Sequence, residues 1–597
     1  IGKPNVIEAD GSISLITPTE ARLRNLTYSA PLFLEISIRQ QDQTESHEVE
    51  IGRIPIIVRS KICNTHGMSP DELKSHYLDP RDYGGYFIIN GNERVMVLTE
   101  DLATNHPFVE RSKNKIMLRL FSSKGSYRIP ISISENTEGI IDISFSRFKG
   151  IPAIIMLKAL GMTKESDIAR FISKETDSLI VNLYEFANIS SNEEAMMWMA
   201  EKTALEGTKK EVLDRIKQRI DNYFMPHIGD RKNREEKAIT LCKFIKQFLI
   251  AKENPEIQTD KDHYANKRVK LSGDLLSDLF RVNLNVLLRD IQYSLSKVVK
   301  RKKFYSLKTI AKSTLFSHRV ESAIATGSWI GERTGVTQNM DKTNYLSILS
   351  QLQRISSILP GEQENFLART LHPTHYGRFC PIETPEGTEI GLRKNLTLLA
   401  RISTAVSFNE SNFIIKLKEF YMKKIDELGN FDIFFNGKFI GSIDDGEKFV
   451  QKIKEERRKA NLPIELSIRI DKSSNTLHIS NDYGRVLRPL IIVENGLTRL
   501  TNEHEKLLEE GKLTWNDLLN QGIVEYLDAS EEENALIALN KEELTPQHTH
   551  LEIDPIASLG IITSLVPFAN HDHPPRLLKG SKTLKQSLGV YSGNFPV

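Results

Sequence analysis

Hydrophobic residues in this chain repeat at two different periods, and the stretches holding each period alternate, so the chain must build more than one kind of core. Tyr86-Phe87-Ile88-Ile89 and Val95-Met96-Val97-Leu98 flank Asn90-Gly91. Asn and Gly tolerate the positive φ of a tight turn, so this segment reads as a β-hairpin. Phe434-Phe435-Asn436-Gly437-Lys438-Phe439-Ile440 repeats the logic. From about 150 to 255 the period becomes helical. Val212, Ile216, Ile220, Tyr223 and Phe224 share one face, as do Leu241, Ile245, Phe248 and Leu249, with a polar loop expected at 229–236. A second helical region, about 272–325, contains Lys300-Arg301-Lys302-Lys303. That run reads either as a solvated helix end or as a phosphate contact.

Residues 326–402 are rich in Gly, Thr, Asn and Pro. Apart from a short helical stripe at Leu346, Leu349, Leu352 and Ile355, they read as ordered loops, which carry function when a rigid scaffold holds them. Strand-like alternation returns over 403–500. Residues 501–552 turn acidic and helical, peaking at Glu531-Glu532-Glu533, and 553–597 turn apolar and then basic. No internal repeat is present. The expectation is an α+β multidomain protein. A length of 597 residues suggests about three to five domains.

Lys and Arg number 80 against 78 Asp and Glu, so a basic surface, where there is one, is local. Cys63, Cys242 and Cys380 form no CxxC pair, which leaves no zinc ribbon to read. Sparse cysteines suit a reducing compartment. No apolar run reaches the roughly 20 residues of a membrane span, and no signal segment opens the chain. Ile1-Gly2-Lys3-Pro4 lacks an initiator Met, and both ends read as cut.

A P-loop, a GxSxG elbow, an HExxH helix and a DxDxD-like cluster are all missing from the sequence. Metal ligands for phosphoryl chemistry would therefore come mainly from elsewhere. The histidine pairs His372/His375, His548/His550 and His571/His573 have no carboxylate or thiolate spacing that completes a metal site, and read as hydrogen-bonded loop residues. Glu383 and Glu386 flank Thr384-Pro385, so they sit on a turn, with Arg369, Arg378 and Arg393 as candidate partners. An Arg–Glu network holding a loop and direct substrate contact are both open. Arg576, Lys579, Lys582, Lys585 and Gln586 concentrate positive charge near the end, and Arg suits phosphate because its planar fork bonds two oxygens.

Several strings carry a resemblance. They are Glu20–Tyr28, Gly84–Gly91, Asp260–Arg268 and, above all, Leu371-His372-Pro373-Thr374-His375-Tyr376-Gly377-Arg378-Phe379-Cys380-Pro381-Ile382-Glu383-Thr384-Pro385-Glu386-Gly387. In this order they resemble the second-largest, beta-type subunit of cellular DNA-directed RNA polymerases, over its N-terminal and central part. Gly331–Gln338 looks archaeal. The resemblance implies a protrusion at 1–111 and 266–320, a lobe at 112–265 and a fork at 321–402. It also implies external regions at 403–500 and 501–552 and a truncated hybrid-binding region from 553 to 597.

By the same resemblance, Arg576 contacts the incoming triphosphate as the catalytic-site residue. Arg369 and Glu386 lie beside the nucleotide-loading site, and Gln338, Arg354, Lys585 and Gln586 face nucleic acid. Mg2+ would be held mainly by the largest subunit. The implied partners are that subunit, assembly subunits, template DNA, the RNA–DNA hybrid and ribonucleoside triphosphates, in the cytoplasm and away from membranes. The implied reaction is templated RNA synthesis, with the piece alone inactive. One departure stands out: where the family commonly reads Asn-Thr-Tyr-Gln, this chain has Leu577-Leu578-Lys579-Gly580. A non-catalytic nucleic-acid-binding scaffold built on the same domains is the alternative.

Overall fold

The fold is described from a computed structural model, which covers residues 1–40, 43–112, 115–125, 127–172, 177–301, 313–331, 333–404, 409–420 and 429–588. It mixes helix and sheet around several separate cores. Lys302 and Lys303 of the basic run, Glu332, and the end of the chain from 589 lie outside the described residues.

Both sequence-read hairpins form. Tyr86–Ile89 pairs antiparallel with Asn92–Met96, and Asn90 and Gly91 take the positive φ that the turn needs. Phe431–Phe435 and Lys438–Ile443 do the same around Asn436 and Gly437. Near the N-terminus, the long ribbon Ser29–Gln40/Gln43–Pro55 lays Leu32, Val49 and Ile51 against Leu275, Leu279, Phe316 and Val320 of the helices Ser272–Arg301 and Ser313–Thr326.

The largest core joins a five-stranded antiparallel sheet, running from Pro107–Ser112 to Phe148–Pro152, to the helices of the 150–255 region. Val212, Ile216, Ile220 and Phe224 are buried there, together with Leu241, Ile245, Phe248 and Leu249. Tyr223 departs from the expected face and is 45% exposed. The expected polar loop at 229–236 also ends early. Arg234 starts the helix Arg234–Glu253, because Glu235 and Glu236 suit a helix N-terminus and Arg234 bonds Asp221 through two nitrogens at 2.8 and 2.7 Å.

Strand alternation misreads part of 403–500, which holds the helices Glu410–Phe420 and Gly446–Arg458 as well as a four-stranded sheet. The acidic 501–552 stretch contains short helices and also the fully buried strand Val524–Asp528. That strand pairs with Val486–Glu494 in a six-stranded sheet. The helical stripe near 350 needs correcting too. Ile355 belongs to the strand Arg354–Ser357, and the buried side of the helix Tyr345–Leu352 is polar: Ser347, Ser350 and Gln351.

One small sheet underlies the Pro- and Gly-rich segment 371–391. Its order is Lys267–Lys270, Leu98–Leu102, Arg354–Ser357, Arg393–Asn395, with the middle pair parallel. Strands from three distant parts of the sequence thus converge beneath that segment. Among the described residues, no helix is long and apolar enough to cross a membrane.

Candidate functional site

Residues 371–395 fold as loops whose shape is dictated by close backbone approaches. Gly391 has φ +73, and a Cβ there would lie 2.3 Å from the carbonyl oxygen of Arg369. At Gly377, φ is +67 and a Cβ would meet the Arg488 side chain at 2.6 Å. Only glycine fits either position. His372 accepts a hydrogen bond from the Thr374 N–H at 3.2 Å to start the turn Pro373–His375.

Buried charges fasten this segment from below. Arg378, fully buried, donates to the carbonyls of Val486 at 3.0 Å and Leu527 at 3.1 Å and pairs with Glu532 at 2.5 Å. Burial pulls its guanidinium below the ordinary arginine value, opposed by Glu532. Lys394 meets Glu100 at 2.9 Å, and the Tyr264 hydroxyl donates to the same carboxylate. Burial by itself would raise the Glu100 carboxyl, but the Lys394 and Lys267 ammoniums outweigh it and hold it at about 2.

Above the loop sits the basic helix Pro574–Gln586. Two prolines open it, Leu577 and Ser581 are its buried residues, and it contains no acid. Ser581 and Thr563 share a hydrogen bond at 3.1 Å, and Cys380 donates to Thr563 at 3.3 Å, which ties the helix to the loop. Asn344 closes the far end. Its Oδ1 accepts from the Ser347 N–H at 2.8 Å, and its Nδ2 donates to the carbonyls of Leu584 at 2.7 Å and Ser587 at 2.8 Å.

Two ion pairs complete the seat. Lys585 Nζ lies 3.1 Å from Glu383, whose same oxygen accepts from Ser350 at 2.7 Å. Lys582 Nζ lies 3.2 Å from Glu386. Two glutamates three residues apart on the loop therefore meet two lysines three apart on the helix. The arginines expected to pair with these glutamates have other partners. Arg378 takes Glu532, Arg393 takes Glu389, and Arg369 donates to the carbonyls of Gly361, Gln363, Thr388 and Ile390. The reason is reach: Arg369 braces its own loop and Arg378 points into the core. The three-residue spacing of both pairs is visible in the sequence, but some 200 residues separate the two segments and nothing local joins them.

The candidate residues fall into three settings. Glu386 and Lys585 take part in the helix–loop contact, Gln586 ends the helix next to Lys585 with its side chain exposed, and Arg354 is close enough to Glu383 to feel its charge. Burial and the neighbouring Arg393 lower the Arg354 guanidinium, against the pull of Glu383. Among the described residues Arg354 has no ion-pair partner. Arg576 stands at the opposite end of the helix with its side chain 74% exposed, and among the described residues its one ion-pair partner is Asp572 at 3.4 Å. Gln338 lies on Thr337–Asn339, a strand paired with Asn92–Met96, and donates to Gly335 at 3.3 Å. Among the described residues, no hydrogen bond or ion pair links it to the helix.

Three of the paired histidines have side-chain partners of their own. His372 meets Asp260 at 2.9 Å, His548 bonds Thr545 at 2.8 Å, and His550 meets Glu525 at 2.7 Å. Burial, reinforced by Lys394, pushes His375 down to about 3, so its ring is neutral. Among the described residues, no cluster of three or more His, Cys, Asp or Glu is arranged to hold a metal ion.

Comparison with known proteins agrees along most of the chain. A family profile described as RNA polymerase beta subunit matches residues 1–318. Profiles for RNA polymerase Rpb2 domains 3, 4 and 5 match 338–402, 433–494 and 515–555. The chain is 40% identical to DNA-directed RNA polymerase subunit Rpo2 of Sulfolobus acidocaldarius, over 100% of this chain and 55% of that protein. It is 40% identical to subunit Rpo2N of Halobacterium salinarum, over 68% of this chain and 80% of that protein. Against DNA-directed RNA polymerase II subunit RPB2 of Encephalitozoon cuniculi the identity is 31%, over 100% of this chain and 56% of that protein. The chain thus spans about half the length of the Rpo2 and RPB2 relatives it matches.

Proposed function

Because this chain belongs to the RNA polymerase beta subunit family, we propose that it forms part of the second-largest subunit of an archaeal-type DNA-directed RNA polymerase. In this reading the protrusion comprises 1–111 and 266–320, the lobe 112–265, the fork 321–402, and the external regions 403–500 and 501–552. The hybrid-binding region starts at 553. Protrusion and lobe line the DNA channel through sequence-independent phosphate contacts, and the fork separates strands.

The reaction is attack of the RNA 3′ hydroxyl on the α-phosphate of a templated ribonucleoside triphosphate, with pyrophosphate leaving. Such catalysis is mainly positioning and charge stabilisation. Following the family resemblance, the Mg2+ of the assembled enzyme is assigned mainly to the largest subunit. What this chain supplies is cationic. Arg576 donates to the oxygens on which negative charge develops. Lys585 and Gln586, with Arg354 and Gln338, face nucleic acid, and Arg369 and Glu386 border the nucleotide-loading site. The largest subunit, assembly subunits, template and RNA–DNA hybrid are the partners, and the cytoplasm is the place of action.

The observation that carries this reading is the seating of a basic helix on a rigid Gly- and Pro-rich loop by paired lysines and glutamates, with Arg576 left exposed. Copurification with a largest subunit, followed by templated RNA synthesis, tests the assembly. In that complex Arg576→Ala is expected to slow single-nucleotide addition about a hundred- to a thousand-fold, the cost of removing one such donor. An unchanged addition rate would overturn the assignment.

A further inference from the structure

The helix Pro574–Gln586 sorts its residues by angle. Leu577, Ser581 and the half-buried Leu584 face the protein. Arg576, Lys579, Thr583 and Gln586 recur at helical spacing and form a continuous exposed stripe. Lys582 and Lys585 lie on the flank between the two and are held by Glu386 and Glu383. Every lysine of the helix except Lys579 thus has a carboxylate within 3.2 Å. Among the described residues, Lys579 has no ion-pair partner.

We infer that Lys579 is a second phosphate-gripping cation, acting beside Arg576 on the same anionic ligand. This rests on the polymerase reading above and extends it to a position where the family pattern is absent. Lys579 is one turn from Arg576, about 4.5 Å along the axis, so both cations reach the same space. It also stands between Arg576 and Gln586, the two stripe residues that the reading already assigns to triphosphate and nucleic acid. Like charges at this spacing repel when nothing neutralises them, and an anion laid along the stripe relieves the repulsion. The helix can present them rigidly, because Asn344 ties down its last turn and its flank is clamped to the loop. The ligand chemistry is a phosphate chain, supplied by the triphosphate or by a nucleic-acid backbone.

The test uses the assembled complex with Lys579→Ala, Lys579→Met, which keeps most of the stem, and Lys579→Arg. If the triphosphate is the ligand, KM for single-nucleotide addition rises on the order of three- to tenfold in the Ala and Met variants, and Arg restores it, as loss of one charge-assisted contact implies. If the backbone is the ligand, KM stays level. The slope of log affinity against log salt for the nucleic acid then falls by about one contact in Ala and Met. No change in either quantity overturns the inference. The wild-type complex keeps the two readings apart: failure to make templated RNA defeats the polymerase reading by itself. Binding of a labelled single-stranded DNA oligonucleotide to the chain, followed against salt, then still judges Lys579, and an unaltered slope in Lys579→Ala rejects it.

Discussion

Two sets of ion pairs lie at and around the candidate site, and they differ mainly in depth. In the core, Arg457 meets Glu531 and Glu525 at 2.7 Å, and Arg488 meets Glu532 at 2.5 Å and Glu552 at 2.6 Å, all with arginine side chains almost wholly buried. At the rim, Lys582 and Glu386 are 52% and 45% exposed although they approach to 3.2 Å. A buried charge whose partner is removed keeps its desolvation cost, whereas an exposed one is rehydrated by water. The deep set therefore fixes how the strands Val486–Glu494 and Val524–Asp528 and the helix Gly446–Arg458 lie against one another. The rim pair can be broken at little cost to the fold.

The largest effect should come from the deep set. Arg457→Ala removes the buried guanidinium that bridges Glu525 and Glu531, leaving Glu525 to Arg458 and His550 and Glu531 to Lys454, and is expected to destabilise the chain by up to about 3–5 kcal/mol in urea unfolding. A loss below about 1 kcal/mol would erase the contrast between depth and rim. A smaller, pH-dependent effect sharpens it. Folded His375 stays neutral down to about 3, whereas the ordinary histidine value is 6.5. The unfolded chain binds more protons between these values, so stability falls as pH drops from about 6.5 toward 3. Glu100, held at about 2 against an ordinary 4.5, adds a further loss as pH falls from about 4.5 to 2. His375→Gln should make the upper window shallower, with the buried His227 and His478 still contributing to it, and leave the lower one, as read by melting temperature across pH. The smallest effect belongs to the rim: Lys582→Ala should cost about 0–1 kcal/mol. A cost of several kcal/mol would mean that the rim pair is structural after all.

Legibility in the sequence followed the range of the interactions. The hairpins at Asn90-Gly91 and Asn436-Gly437 were readable because the turn residues and both strands are contiguous. Buried faces of the 150–255 helices were readable through periodicity, except at Tyr223, near the helix end. The strand Val524–Asp528 was masked by its own charges. Glu525 and Asp528 look solvated in sequence, yet Arg457, Arg458 and Arg485 neutralise them in the core. The polar face of Tyr345–Leu352 defeated an apolar-stripe reading because Ser350 serves Glu383 and Gln351 serves Asn339. At the candidate site, the charge of the last helix was readable and its glutamate partners were not, since nothing local joins residues 383 and 585. The family's region boundaries and residue roles came from whole motifs, not from any of these patterns.

The small sheet under the loop also constrains the order of events during synthesis. Leu98–Leu102 is an inner strand whose partners are Lys267–Lys270 and Arg354–Ser357, and the outer strand Arg393–Asn395 comes later still. At roughly 5–20 residues per second, the ribosome needs on the order of 15–60 s to deliver them all after Leu98 has emerged. The five-stranded sheet and the helices of 107–253 consist of consecutive segments and can close during that wait. That inner strand is thus made early yet waits for its second partner, Arg354–Ser357, and a nascent chain stalled before residue 354 carries it with one edge open.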